Sequence, residues 1–307
     1  MIVVLAGGVG GARFANGLAA LLGPGQLTVV VNVGDDFDHL GLRICPDLDT
    51  VTYTLANLNN RELGWGQVGE TWSFMDALGK LGGPAWFNLG DRDLATHVLR
   101  THRLAAGEPL SAIVADFAKA RGIAQAILPV TDDPVRTRVL TDEGELNFQD
   151  YFVRRRCEPV FRAIRFAGAD QARPHPAVLA ALADPALEAI LIAPSNPLLS
   201  LAPILAVPGI AAALAARAVP CVAISPFIAG QAVKGPAAKI MRELGLEPGP
   251  AAIAAHYGDL IDGLVIDHAD RAELASPALL HTDILMRDDA GQQRLAAEVL
   301  AFARRLA

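Results

Sequence analysis

The chain begins with Ile2-Val3-Val4-Leu5-Ala6 and runs at once into Gly7-Gly8-Val9-Gly10-Gly11-Ala12-Arg13. An apolar run with no polar alternation describes a strand covered on both faces, the signature of a parallel sheet lying between helices. Parallel neighbours need a crossover. The helix-like segment Arg13–Leu22, the turn Gly23–Gly25 and the second apolar run Leu27–Val33 supply it, so the loop Gly7–Gly11 opens a βαβ unit. Further runs at Ala126–Val130, Ala189–Ala193, Cys221–Ile224 and Leu264–Asp267 alternate with helical or proline-punctuated stretches. That order predicts an α/β fold with a Rossmann-like, doubly wound, mainly parallel sheet. Helical apolar spacing marks Asp91–Arg103, Pro109–Arg121 and Arg294–Leu306. Between Val135 and Val153 polar and apolar residues alternate about Asp142-Glu143-Gly144, which predicts an antiparallel hairpin. We expect one large domain over residues 1–307 with a smaller lobe inserted around 135–175.

Composition narrows the partners. Hydrophobic residues are 52% of 307 and charged residues 19%, enough to build a core and unlike a disordered chain. The net charge is −7 with no basic run, which argues against nucleic acid and acidic membranes as partners. Three scattered cysteines without a CxxC pair predict neither disulfides nor a zinc site, and point to a reducing compartment. No signal-like segment precedes Gly7, so the expected location is cytoplasmic. Ala189–Arg217 carries no charge before its arginine, but its prolines and Gly209 predict a strand, a loop and short helices instead of a membrane span.

Several loops that follow strands carry polar chemistry. Glycine N–H groups at a helix N-terminus favour a phosphate or diphosphate. The spacing matches neither the P-loop, since no Gly-Lys-Ser/Thr follows, nor the dinucleotide fingerprint, since Arg13 holds the place of its third small residue. A phosphate cradle and a bare tight turn both remain open. Asp35 and Asp36 of Asn32-Val33-Gly34-Asp35-Asp36 stand at the end of the second strand, where ribose binding, metal binding and simple capping are alternatives. In Cys45-Pro46-Asp47-Leu48-Asp49-Thr50 the two carboxylates either hold a hard cation such as Mg²⁺ at a loop-to-helix junction or cap a helix over Val51–Leu58. The metal reading gains if the Asp35-Asp36 loop converges on it. Leu89-Gly90-Asp91-Arg92-Asp93-Leu94-Ala95-Thr96-His97 is either a helix start with caps or an anion site built on Arg92, and His97 is packed or an acid–base group. Val130-Thr131-Asp132-Asp133-Pro134 and Ala193-Pro194-Ser195-Asn196-Pro197 are turns or nucleotide-flanking loops, and Lys234 is a phosphate partner or a surface lysine. Gly-x-Ser-x-Gly and HExxH are absent, which leaves acyl-transfer hydrolysis and zinc hydrolysis unsupported.

Together GGVGGARF, VNVGDD, CPDLDT, LGDRDLATH, the Asp132–Pro134 turn, APSNP and HYG at His256–Gly258 resemble the 2-phospho-L-lactate transferase family (CofD, called FbiA in actinobacteria) of coenzyme F-420 biosynthesis. The resemblance spans nearly the whole chain, with one departure: Val130-Thr131 stands where the family more often has Met-Ser. It implies a cytoplasmic, Mg²⁺-dependent phosphotransferase, and a homodimer. Such an enzyme moves a 2-phospholactyl or phosphoenolpyruvyl group from a guanosine diphosphate-linked donor to the ribityl hydroxyl of the deazaflavin precursor Fo, releasing GMP. On this resemblance Asp47 and Asp49 hold Mg²⁺ or orient the acceptor hydroxyl, and Gly8, Gly10 and Gly11 cradle the donor phosphates. Arg92 stabilises the acceptor or the developing charge. Asp35, Asp36, Asp91, Thr96, Ser195 and Asn196 complete the walls. The alternatives are a non-catalytic sugar-nucleotide-binding regulator of related fold and an NAD-dependent oxidoreductase, the second weakened by Arg13.

Overall fold

The computed structural model describes residues 1–307. Seven strands form the main sheet: β1 (Ile2–Ala6), β2 (Leu27–Val31), β3 (Ala126–Pro129), β4 (Ala189–Ile192), β5 (Cys221–Ile224), β6 (Gly263–Asp267) and β7 (Ala278–Thr282). Their spatial order is β7-β6-β5-β4-β1-β2-β3 and every pairing is parallel. All residues of β1, β2, β4, β5 and β6 are buried, which explains their unbroken apolar sequences. A fully buried aliphatic side chain of this kind contributes roughly 1.5–3 kcal/mol.

The order reverses between β1 and β4. Chain leaving β1 builds outward through β2 and β3, whereas chain leaving β4 builds the other way through β5, β6 and β7. The loops after β1 and β4 therefore part at a topological switch point, where open α/β sheets bind ligands beyond the strand C-termini.

Helix α1 spans Gly8–Leu21, so the predicted glycine loop shrinks to Gly7 and the other glycines lie inside the first helical turn. Their role is close approach. A Cβ on Gly10 would strike the carbonyl oxygen of Pro194, and one on Gly17 the backbone of Gln292, where the C-terminal helix Asp289–Leu306 crosses α1. Helix α2 covers Pro46–Leu55, starting earlier than expected because Pro46 serves as its first residue. Helices α3 (Ser73–Lys80), α4 (Asp91–Ala105) and α5 (Leu110–Ala120) follow, the last two near their predicted bounds.

The predicted hairpin is present as strands Arg136–Thr141 and Gly144–Asn147, and a third strand, Phe161–Ala167, pairs antiparallel on the other side. This small sheet rests on its own cluster of Val139, Phe148, Tyr151, Cys157 and Phe161, joined by Leu199 and Ile240. The 189–217 stretch resolves into β4, a turn of π-helix at Pro197–Leu201 and short helices. No helix is long and apolar enough to cross a membrane. The three cysteines are buried and unpaired.

Candidate active site

The loops after β1, β2 and β4 meet at the start of α1. Ser195 Oγ donates to the Gly7 carbonyl at 2.7 Å and accepts from the Gly7 N–H at 3.4 Å. A Cβ on Gly11 would lie 2.8 Å from the same Oγ, and one on Gly7 would lie 2.7 Å from Asp47 Oδ2 and 2.8 Å from Ser200 Cβ. Only glycines let the first turn of α1 settle between Pro194-Ser195, Ser200 and Asp47. Gly8 also carries φ +64°, a left-handed conformation that glycine adopts without strain.

Asp47 is the hinge of this group. Its Oδ1 accepts the Gly8 N–H at 2.8 Å and its Oδ2 accepts Asn32 Nδ2 at 2.9 Å, while Asn32 Oδ1 accepts the Gly34 N–H at 2.7 Å. Asn32 thus ties the β2 loop to α2 and to the first turn of α1. Burial drives Asp47 up to about 6, despite its bonds from Asn32 and Gly8. Burial, and then the charge of Asp47, hold Asp35 well above the ordinary carboxylate range, and burial pushes Asp36 up to about 7. Asp35 Oδ1 and Asp36 Oδ1 are buried without any hydrogen-bond partner. Buried carboxylates crowded together, with acceptor atoms unanswered, form a donor set that suits a hard cation.

Asp49 turns elsewhere. Because Asp47 and Asp49 lie within the first turn of α2, two residues apart and about 200° around the helix, their side chains diverge. Asp49 forms a two-pronged ion pair with the fully buried guanidinium of Arg100, which also donates to the Arg43 carbonyl. His97 lies between Asp49, with Nδ1 at 3.7 Å, and Asp93, with Nε2 at 3.2 Å. Tyr53 donates to Asp93 at 2.5 Å. Burial works to raise Asp93, yet its contacts with His97, Tyr53 and Arg100 hold it below the usual range. His97 is therefore a packed, buried residue, and the Asp49-Asp93-His97 group locks α4 onto α2.

The remaining expected residues divide clearly. Asn196 caps the helical turn that follows, accepting from the N–H groups of Leu198 and Leu199. Asp91 accepts from Thr71 Oγ1 and from the N–H groups of Ser73 and Phe74, so it secures the start of α3. Arg92 donates to the Val68 carbonyl at 3.1 Å and covers Gly69, while its own N–H and that of Asp93 bond Glu70. Thr96 is buried and accepts from Arg121. Asp132 accepts from Ser111, and Asp133 from the Arg173 N–H. The structure thus gathers Gly8, Gly10, Gly11, Asp35, Asp47 and Ser195 with Asn32 and Ser200, sets Asp36 beside Cys45, and leaves Asp91, Arg92 and Thr96 on the α3–α4 side. Ser200 carried no sequence signal. Arg100 did, since Asp93, His97 and Arg100 follow an i, i+4, i+7 stripe on one helix face.

Comparison with known proteins places the whole chain in one family. Residues 2–301 match the family model described as 2-phospho-L-lactate transferase CofD. A protein named phosphoenolpyruvate transferase from Streptomyces avermitilis is 43% identical over 98% of this chain and 98% of its own length. Its namesake from Kitasatospora aureofaciens is 44% identical over 98% and 97%, and that from Mycolicibacterium smegmatis 40% identical over 94% of each. A crystal structure of a UPF0052-family protein from Bacillus halodurans superposes with a TM-score of 0.63, covering 97% of this chain and 98% of that one at 14% identity. That likeness concerns the fold.

Proposed function

Because the chain belongs to the CofD family of 2-phospho-L-lactate transferases, we propose that the crevice between β1 and β4 transfers a phosphorylated three-carbon acid to a deazaflavin alcohol. The donor is a guanosine diphosphate-linked acid, the acceptor the ribityl hydroxyl of Fo, and the product belongs to coenzyme F-420 biosynthesis. Enolpyruvate is the acid favoured here, since the relatives at about 40% identity or more carry the name phosphoenolpyruvate transferase. The observation that supports the reading most is Asp47 bound to the first turn of α1 with Asp35 buried beside it, one Asp35 carboxylate oxygen left without a partner.

In the reaction the acceptor oxygen forms a new bond to the phosphorus that carries the acid, the anhydride bond to the nucleoside phosphate breaks, and GMP departs. The hydroxyl proton passes to a carboxylate of the buried group. Such a transfer needs positioning and charge compensation more than a covalent intermediate. The N-terminus of α1, whose Gly8 N–H is held by Asp47, turns its dipole toward the crevice, where a diphosphate is best received. Asp35 and Asp47 are the residues that would hold Mg²⁺. Bound there, the ion supplies neutralising charge for the diphosphate. Asp49 acts through Arg100 by anchoring α2, and does not touch the substrate.

The test is to incubate the purified protein with Fo, Mg²⁺ and guanylated donors bearing enolpyruvate, lactate or glycerate in turn, with mass spectrometry of the products. An Fo adduct retaining the phosphate, most abundant with enolpyruvate, is the expected result. Absence of any adduct together with tight sugar-nucleotide binding would point to the regulator instead.

A further inference from the structure

Two cations beside the site stand without a carboxylate partner. Arg13, on α1, donates only to the Met286 carbonyl at 3.2 Å. It lines a cleft with Val9, Thr50, Thr54, Asn59 and Trp65, between α1, α2 and the loop that precedes α3. Lys234, on the excursion after β5, meets the rim of this cleft at Gly64. Although its chain position is exposed, its ammonium donates to the Gly64 carbonyl at 3.4 Å, and a Cβ on Gly64 would strike it. Burial of that ammonium, and then the charge of Arg13, hold Lys234 below its ordinary value.

The cleft continues into a second lobe of about 70 Å³ lined by Arg13, Asn16, Thr54 and Asn59 with Arg61 and Arg287 at its edge. Those two arginines already pair with Asp289 and Asp283 at 3.1 Å. No carboxylate lines either lobe. Val9 follows Gly8 and Thr50 follows Asp49, so the cleft adjoins the α1–α2 junction. Two like charges, one of them partly desolvated, repel each other unless an anion lies between them. An arginine fork beside a lysine point charge, with amide and hydroxyl groups around them, suits phosphate oxygens.

We propose that this cleft is a phosphate subsite in which Arg13 and Lys234 grip a phosphate group of the nucleotide donor. The inference rests on the transferase reading above, but its test separates the two. Arg13→Gln, Lys234→Gln and the double variant are titrated calorimetrically with guanosine diphosphate and with inorganic phosphate, and their KM for donor is set against kcat. Each single change is expected to weaken guanosine diphosphate binding about 10-fold or more, as loss of a charge-assisted contact does, and to raise donor KM with kcat little changed. The melting temperature should stay near wild type, since both side chains lie outside the core. Loss of inorganic phosphate binding with unchanged nucleotide affinity and donor KM would overturn the donor assignment and mark a site for free phosphate. Unchanged affinity for both anions in the folded double variant would overturn the subsite altogether. If the wild-type protein transfers nothing to Fo, the transferase reading fails, while the two titrations still decide the subsite.

Discussion

Replacing Asp47 by Asn separates chemistry from folding at this site. The substituted side chain keeps an acceptor for the Gly8 N–H but presents an amide to Asn32 Nδ2, which in the wild type donates to Asp47 at 2.9 Å. Asn32 cannot turn over freely, because its Oδ1 accepts from Gly34 at 2.7 Å. The change therefore loses one charge-assisted bond, worth roughly 1.5–3 kcal/mol, and leaves a buried donor unmet. It also removes a carboxylate that burial disfavours, as its raised proton affinity shows. The two effects oppose each other, so the net loss of stability should be only about 1–2 kcal/mol by urea denaturation. Turnover should fall at least ~10²-fold, the scale set by loss of one transition-state contact. The double variant Asn32→Asp/Asp47→Asn restores a donor–acceptor pair with the charge on the wrong side. It should regain stability without regaining activity. Wild-type turnover by Asp47→Asn, or full activity in the double variant, would remove Asp47 from the chemistry.

Three further outcomes follow from the geometry. Gly10→Ala sets a Cβ against the Pro194 carbonyl and should lower the urea midpoint well beyond Gly8→Ala, whose Cβ meets nothing closer than 3.9 Å and which pays only for its φ of +64°, about 1 kcal/mol; equal losses would refute this. Arg100→Met strands the buried Asp49 carboxylate and should cost about 3–5 kcal/mol in the same assay, and a loss below about 1 kcal/mol would show the pair is not needed. Asp35, Asp36 and Asp47 bind protons more tightly folded than unfolded, so in metal-free buffer the stability they contribute falls as pH rises from about 4 toward 7. Mg²⁺ competes with those protons and should raise the melting temperature more at pH 8 than at pH 5; an equal or larger gain at pH 5 would contradict the assignment of Asp35 and Asp47.

The strands were readable because burial on both faces leaves a mark that needs no tertiary information: an unbroken aliphatic run. Glycines leave a more ambiguous mark. Gly10 and Gly11 suggest a loop in sequence, yet each is small because the segment Pro194-Ser195, 184 positions away, passes close by. A separation of 20–23 positions is enough to hide the partners of LGDRDLATH. Its Asp91 and Arg92 look catalytic in isolation, but Glu70 and Thr71 return to bind them, and the motif ties α3 to α4. Asp47 and Asp49 could be named as chemically important, but their separation depended on whether Pro46 stood before the helix or inside it. Ser200 lies behind Gly7 only because β4 neighbours β1, a pairing that no local pattern encodes.

Transfer leaves two products in equal amount, and both can be counted. Wild-type protein is given Fo, Mg²⁺ and the enolpyruvyl guanylated donor, and GMP and Fo adduct are quantified in the same samples over a time course. Equal amounts at every point are predicted, with both lost in Asp47→Asn. GMP accumulating without adduct, or neither product from folded wild-type protein, would contradict it.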